Sequence, residues 1–283
     1  MEEMEVYVPT LGRSHSDTLV SLTRAAIYPT LVVSNYKDFS WYDKRILCPH
    51  QGIGPTRQWI IDQAKSNKVV MLDDDLVFAA RRGDEPTKFR EATTTDVWML
   101  FSSIYANLSE FAHVGVSTRE GGNRDTHLAC YDTRLLRILA YRVDVLRREK
   151  IRFDRLELME DFHVTLSLLS RGYRNIKINW IVHNQRSSNA PGGCSTYRTL
   201  EKQREAALGL KADFPDFVSV VEKTTKTAWQ GKTRTDVVVQ WKKALNASRK
   251  IVVLESSSQD LDLKESVLSP QEQSTKDTPD FAE

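Results

Sequence analysis

Cysteine is scarce: Cys48, Cys130 and Cys194 are the three in a chain of 283 residues. Their wide separation matches neither a zinc-site spacing nor a disulfide framework, which excludes a cysteine-stapled secreted domain and fits a reducing, cytosolic setting. Long apolar runs are also lacking. Nothing approaches the roughly 20 apolar residues that a membrane-spanning helix requires, so no membrane partner is expected. The opening Met1-Glu2-Glu3-Met4-Glu5 is acidic and leads straight into a strand, unlike the basic start of a secretory signal. No internal repeat is present. What remains is a chain 40% hydrophobic, enough for one large domain or one domain with an extension.

The net charge of +2 conceals an asymmetry. From Glu255 onward there are eight acidic residues and two basic ones, so the preceding 254 residues carry +8. That tail is rich in Ser and Gln and poor in aromatics, a composition that cannot bury a core and reads as disordered. Just before it, Lys223, Lys226, Lys232, Arg234, Lys242, Lys243, Arg249 and Lys250 face only Glu222 and Asp236, with Trp229 and Trp241 interleaved. Such a segment suits a polyanion surface, charge for phosphates and rings for stacking. A solvated helix face with tryptophans anchored in the core accounts for it as well.

The order of elements predicts an α/β fold. Residues 5–9 read as a strand, followed by a helix starting near Asp17 as N-cap. Strands at 30–34 and 45–48 precede a helix opened by Gly52-Ile53-Gly54-Pro55, with Pro in its first turn. Lys68 to Leu72 is the next strand. This alternation predicts a mostly parallel sheet with right-handed crossovers. Beyond it, residues 81–95 read as a polar loop or lid, 96–111 as a helix, 114–117 and 138–141 as strands, and 119–126 as irregular. A helix over 159–171, ended by Gly172, and a final strand over 177–182 complete the domain.

Three places carry chemistry. Val69-Val70-Met71-Leu72 runs directly into Asp73-Asp74-Asp75, at the strand end where open α/β sheets bind ligands. Three carboxylates there need a counter-charge, which a hard divalent cation with oxygen ligands supplies; an acidic polar turn is the plainer alternative. Glu160 and Asp161 open the late helix, where the dipole favours carboxylates and where one could also face a cleft as general base. His183, followed by Asn184 and Gln185, closes the last strand as a structural histidine or a metal ligand.

In this order the three signals resemble the metal-dependent GT-A glycosyltransferases, and Val8-Pro9-Thr10-Leu11-Gly12-Arg13 resembles their first nucleotide-contacting loop. Together with the segments 49–57, 71–75 and 159–161, they resemble the bacteriophage glycosyltransferases associated with TET-like dioxygenases over residues 4–190. The resemblance implies a GT-A-like, Rossmann-like catalytic domain at 1–215, a basic extension at 216–254 and a disordered acidic tail at 255–283. It implies metal binding by Asp75, Asp73 and His183, with Mn²⁺ or Mg²⁺ as the ion. Donor contacts fall to Thr10, Arg13, Gly54, Arg57, Asp73 and Asp74, with a UDP-sugar as donor. Asp161, of the Glu160–Asp161 pair, becomes the base of an inverting reaction, with a retaining reaction as the alternative. Arg57 suits diphosphate through its bidentate fork, and is equally placed to be a surface helix residue.

The acceptor implied is a 5-hydroxymethylpyrimidine in DNA, 5-hydroxymethylcytosine or a relative, in the cytoplasm of a phage host. Arg119, Arg124 and the basic segment could track phosphates, and Tyr131, Trp180 and Tyr197 could stack an extruded base, though each also suits a core. A glycan, lipid or protein acceptor remains open. So does a metal-dependent nuclease or phosphohydrolase built on the acidic cluster; a DNA-binding protein without activity would leave that cluster unexplained.

Overall fold

The computed structural model of the chain describes residues 4–185, 198–224 and 231–248. Cys194, Tyr197, Lys226, Trp229, Arg249, Lys250 and the acidic tail lie outside the described residues. Strand β1 (Met4–Thr10) leads to helix α1 (Asp17–Arg24), then β2 (Thr30–Val33), β3 (Arg45–Leu47) and α2 (Ile53–Gln63). Next come β4 (Lys68–Leu72), β5 (Leu76–Arg81), β6 (Phe89–Glu91), α3 (Thr94–Asn107) and β7 (His113–Thr118). A short 3₁₀ turn (Gly122–Arg124) precedes β8 (Ala129–Tyr131), β9 (Ile138–Arg142), α4 (Val143–Arg148), α5 (Glu160–Leu169) and β10 (Asn175–Gln185). Helix α6 (Leu200–Asp213), the strands β11 (Val218–Thr224) and β12 (Thr233–Val239), and a helix over 241–248 follow.

The central sheet has the order β3-β2-β1-β4-β9-β7-β10-β5-β6, with β8 also paired to β10. The run from β3 to β4 is parallel, as is β7 with β10. Strands β9, β5, β6 and β8 pair antiparallel. Because β1 and β4 are parallel neighbours, their carboxyl ends, carrying Thr10 and Asp73, open on the same edge.

All five residues of β4 are buried, and its side chains alternate between two cores as strand geometry requires. Val70 and Leu72 pack with α1 and α3 on one face; Val69 and Met71 pack with α2, α4 and α5 on the other. Each such fully buried side chain contributes roughly 1.5–3 kcal/mol. A third core lies on the far side of α5, where Phe162, Leu166 and Leu169 meet α6, β11, β12 and the helix over 241–248. No helix among the described residues is long and apolar enough to cross a membrane.

Four local expectations change. Ser16, not Asp17, caps α1: its hydroxyl accepts from the Leu19 amide, and Asp17 is the first helical residue. Residues 81–95 hold the end of β5, the edge strand β6 and the capping box Thr93–Asp96 that starts α3, so the segment is structured despite its polarity. The strand over 177–182 extends from Asn175 to Gln185. It is not the last, since β11 and β12 form an antiparallel pair within the basic segment.

Candidate functional site

The acidic turn after β4 is held by the start of α1. Ser16 Oγ donates to the Asp74 carbonyl at 2.6 Å, and Thr18 Oγ1 donates to the Asp73 carbonyl at 2.6 Å while accepting from the Leu76 amide at 2.9 Å. With its backbone fixed in this way, the turn presents three carboxylates in three settings. Asp74 Oδ2 accepts from Thr10 Oγ1 at 2.6 Å, and its other oxygen lies 3.1 Å from Arg13. Asp75 lies 3.0 Å from the same guanidinium and accepts from Gln185 Nε2 at 3.0 Å. Asp73 lies 2.9 Å from Arg57 Nη2 and keeps 28% of its side chain exposed. The counter-charge anticipated for the triplet is thus provided within the chain by Arg13 and Arg57.

Arg57 is not a surface residue. It is 4% exposed, and its second terminal nitrogen meets Glu160 at 2.5 Å. Burial opposes the guanidinium charge, but Glu160, Asp73 and Asp161 outweigh it and raise its pKa. Burial of Glu160 raises its carboxyl to about 7, against the pull of Arg57 and with the help of repulsion from Asp161. Burial likewise pushes Asp73 up, and Asp74 to about 6. Arg13 is held above its usual value: burial works against it, and Asp74 and Asp75 prevail.

Met159, the residue before α5, adopts φ 63° and ψ 25°. A non-glycine side chain in this left-handed region costs roughly 1–2 kcal/mol. It swings the chain so that Glu160 points inward to Arg57, while the Asp161 side chain stays 14% exposed and lies 3.4 Å from Arg134. The Arg134 guanidinium itself rests over the Phe162 ring at 3.9 Å. Glu160 and Asp161, adjacent in sequence, are therefore an inward anchor and a partly exposed carboxylate.

Gly54 is explained by packing. A Cβ there would stand 2.8 Å from the Phe153 carbonyl, so only glycine lets α2 approach the segment after α4. His183 is fully buried, and burial with Arg137 nearby pushes its pKa down to about 3, which keeps the ring neutral. Neither ring nitrogen has a hydrogen-bond partner of normal geometry. It shares a strand face with Gln185, two residues on, which reaches Asp75. The carboxylate oxygens of Asp73 and Asp75 and a neutral, unpaired imidazole are donor types that suit a divalent ion. Among the described residues, however, no three His, Cys, Asp or Glu side chains converge into an assembled ligand group.

Sequence reasoning missed Arg134 and Arg137. Arg137 has a left-handed backbone, φ 64°, and its carbonyl accepts from the Asp73 amide at 3.0 Å. Its charge acts on both Asp73 and His183. The signal lay in Arg134-Leu135-Leu136-Arg137, two cations at the entry to a buried strand, but nothing local said that β9 runs beside β4. Tyr141, fully buried under the site, stacks on His113 at 4.1 Å and has an unpaired hydroxyl.

The residues expected at an acceptor are spread more widely. Tyr131 is 45% exposed, whereas Trp180 packs partly buried against the core. Arg119 lines a cavity of about 630 Å³ together with Phe89 and Asn184, and Arg124 ends the 3₁₀ turn. In the basic segment, Lys223 and Arg234 both pair with Asp236, at 3.2 and 3.0 Å, so they are not free to follow phosphates. Trp241 packs against Phe162, as a core anchor would.

Known proteins resemble this chain. The "Beta-glucosyl-HMC-alpha-glucosyl-transferase" of Enterobacteria phage T2 is 23% identical over 210 residues, 66% of this chain and 73% of that protein. The protein of the same description from Enterobacteria phage T6 is 21% identical over 235 residues, covering 75% and 82%. Glucosyl-3-phosphoglycerate synthase from Mycobacterium tuberculosis, solved with Mg²⁺ and UDP, superposes with a TM-score of 0.47 at 12% identity, over 83% of this chain and 87% of that one. The TET-associated glycosyltransferase family model matches residues 4–193, which contain β1, the acidic turn, Arg57, Glu160, Asp161 and His183. The chain belongs to the TET-associated glycosyltransferases and is a glycosyltransferase.

Proposed function

We propose that this enzyme moves a sugar from a nucleoside-diphosphate sugar, a UDP-sugar, to the hydroxyl of 5-hydroxymethylcytosine or a related hypermodified base in phage DNA, within the host cytoplasm. The observation that carries the proposal is the meeting of Asp73 and Glu160 on Arg57, which gathers the acidic turn and the Glu160–Asp161 pair at the carboxyl ends of β1 and β4. Family membership and the activities that the phage T2 and T6 relatives are named for support it.

In this reading Thr10, Arg13, Asp73 and Asp74 bound the donor pocket. Arg57, held between two carboxylates, keeps Asp73 in place, and Gly54 permits the helix packing that puts Arg57 there. Asp75 and Asp73, with His183, would hold Mn²⁺ or Mg²⁺, which when bound neutralises charge on the departing diphosphate. Asp161 takes the proton from the acceptor hydroxyl as that oxygen attacks the anomeric carbon. Arg134, 3.4 Å away, keeps its carboxylate oriented, and Glu160 anchors the helix start behind it.

A second acceptor is favoured by the relatives' names, which describe a base that already carries a β-glucosyl group and an α-glucosyl product. The attacking hydroxyl would then belong to a sugar. An α-linked product from an α-linked donor would mean retention and would remove the general-base role from Asp161.

The test is transfer from radiolabelled UDP-sugars, with Mn²⁺ or Mg²⁺, onto matched duplexes with cytosine, 5-hydroxymethylcytosine or β-glucosylated 5-hydroxymethylcytosine. Label confined to the hydroxymethylated duplex supports the proposal, and label confined to the glucosylated one supports the second acceptor. Donor turnover with no labelled DNA refutes both.

A further inference from the structure

A cleft of about 540 Å³ lies between β8 and the start of the helix over 241–248, bounded by Tyr131, Thr133, Gln240, Trp241, Lys242 and Lys243. We propose that it receives the extruded nucleotide of a DNA acceptor, base against Trp241 and backbone phosphate against the two lysines. This rests on the DNA-acceptor reading above and adds the place where the base is held.

Position comes first. Thr133 in the cleft wall precedes Arg134, which lies 3.4 Å from the Asp161 carboxylate and covers the Phe162 ring at 3.9 Å. Phe162 in turn meets Trp241 at 5.6 Å between ring centroids. The cleft and the carboxylate assigned to the acceptor proton are therefore joined by one cation and one ring.

The lining chemistry agrees. The volume is that of a small-molecule site, roughly 300–1,000 Å³. Trp241, packed on Phe162 and half-buried, still lines the cleft, and the part of its indole that does so offers a flat surface for a base. Gln240 is exposed, and its amide carries the donor and acceptor that the edge of a cytosine ring calls for. Lys243 is steadied by the Asp216 carbonyl at 2.9 Å, and Lys242 is exposed beside it. The one carboxylate in the wall, Asp132, is neutralised by Arg174 at 2.7 Å, so nothing there repels a phosphate.

Two exposed positions test this without disturbing the core: Lys242→Glu and Gln240→Ala. Steady-state transfer is measured on duplexes carrying 5-hydroxymethylcytosine or 5-hydroxymethyluracil, and 2-aminopurine beside the modified base reports extrusion. Lys242→Glu is expected to raise the KM for DNA at least about tenfold, more than it lowers kcat, and to weaken the fluorescence rise on binding. Gln240→Ala is expected to narrow the preference between the two bases by a similar factor. Unchanged KM and unchanged base preference, with a wild-type enzyme that modifies DNA, overturn the cleft alone. A wild-type enzyme that glycosylates no duplex overturns the DNA acceptor and the cleft with it.

Discussion

Arg57 and Glu160, 103 residues apart in the chain, meet at 2.5 Å in the interior, where the one is 4% and the other 6% exposed. Asp73 shares the same guanidinium, so this cation ties the end of a strand to the start of a helix. Removing Arg57 leaves Asp73 and Glu160 facing each other without the cation that both of them bind.

Arg57→Ala is therefore expected to destabilise the protein by about 3–5 kcal/mol in urea unfolding. Arg57→Lys keeps the charge but cannot span both carboxylates, and its stability should fall between the two. Equal midpoints for all three proteins would show that the tie contributes nothing.

Asp161→Asn keeps the shape of the helix start and removes the proposed proton acceptor. Transfer is expected to drop by roughly 10²–10⁴-fold while donor binding by calorimetry persists. Near-normal single-turnover transfer by the variant would take the base role away from Asp161.

Glu160 is the titrating group with the clearest pH consequence. Its carboxyl holds a proton up to about 7 in the folded protein against an ordinary 4.5, so the native state binds more protons across that window. Stability should therefore decline as pH rises from 4.5 to 7. Glu160→Gln is expected to flatten this profile. A melting temperature that changes with pH in the same way in both proteins would assign the effect elsewhere.

Asp75 and Gln185 make a graded pair. Asp75→Ala should abolish the divalent-ion dependence of nucleotide binding, and Gln185→Ala, which only frees the carboxylate to rotate, should weaken it by about tenfold. Calorimetry with and without the ion reads both. Undiminished ion dependence in Asp75→Ala would exclude this carboxylate from the metal.

Much of this site was readable from local pattern, and what was not depended on distance along the chain. Val69 to Leu72 announced a buried strand because a continuous apolar run suits two covered faces, and the Asp triplet after it had to sit at the strand end. Glu160 and Asp161 were visible as a helix start, yet identical in type; the left-handed Met159 that turns one inward leaves no compositional trace. Arg57 was legible as a candidate for the donor diphosphate, with a surface helix position as the alternative, but helical spacing says nothing about a carboxylate 103 positions away, so its burial against Glu160 was not. Strand β6, Phe89–Glu91, escaped notice because an edge strand needs no apolar alternation. The antiparallel placement of β9 between β4 and β7, which brings Arg137 to the site, is a property of the whole sheet.

The hydroxyls of Ser16 and Thr18 already occupy the carbonyls of Asp74 and Asp73. In the function proposed above, the acidic turn meets the donor with its backbone already fixed by these two bonds. Recognition is left to side chains alone. In that function a substitution at residues 73–75 acts through the side chain presented and through its ties to Arg13 and Arg57, while Ser16 and Thr18 keep the path of the turn.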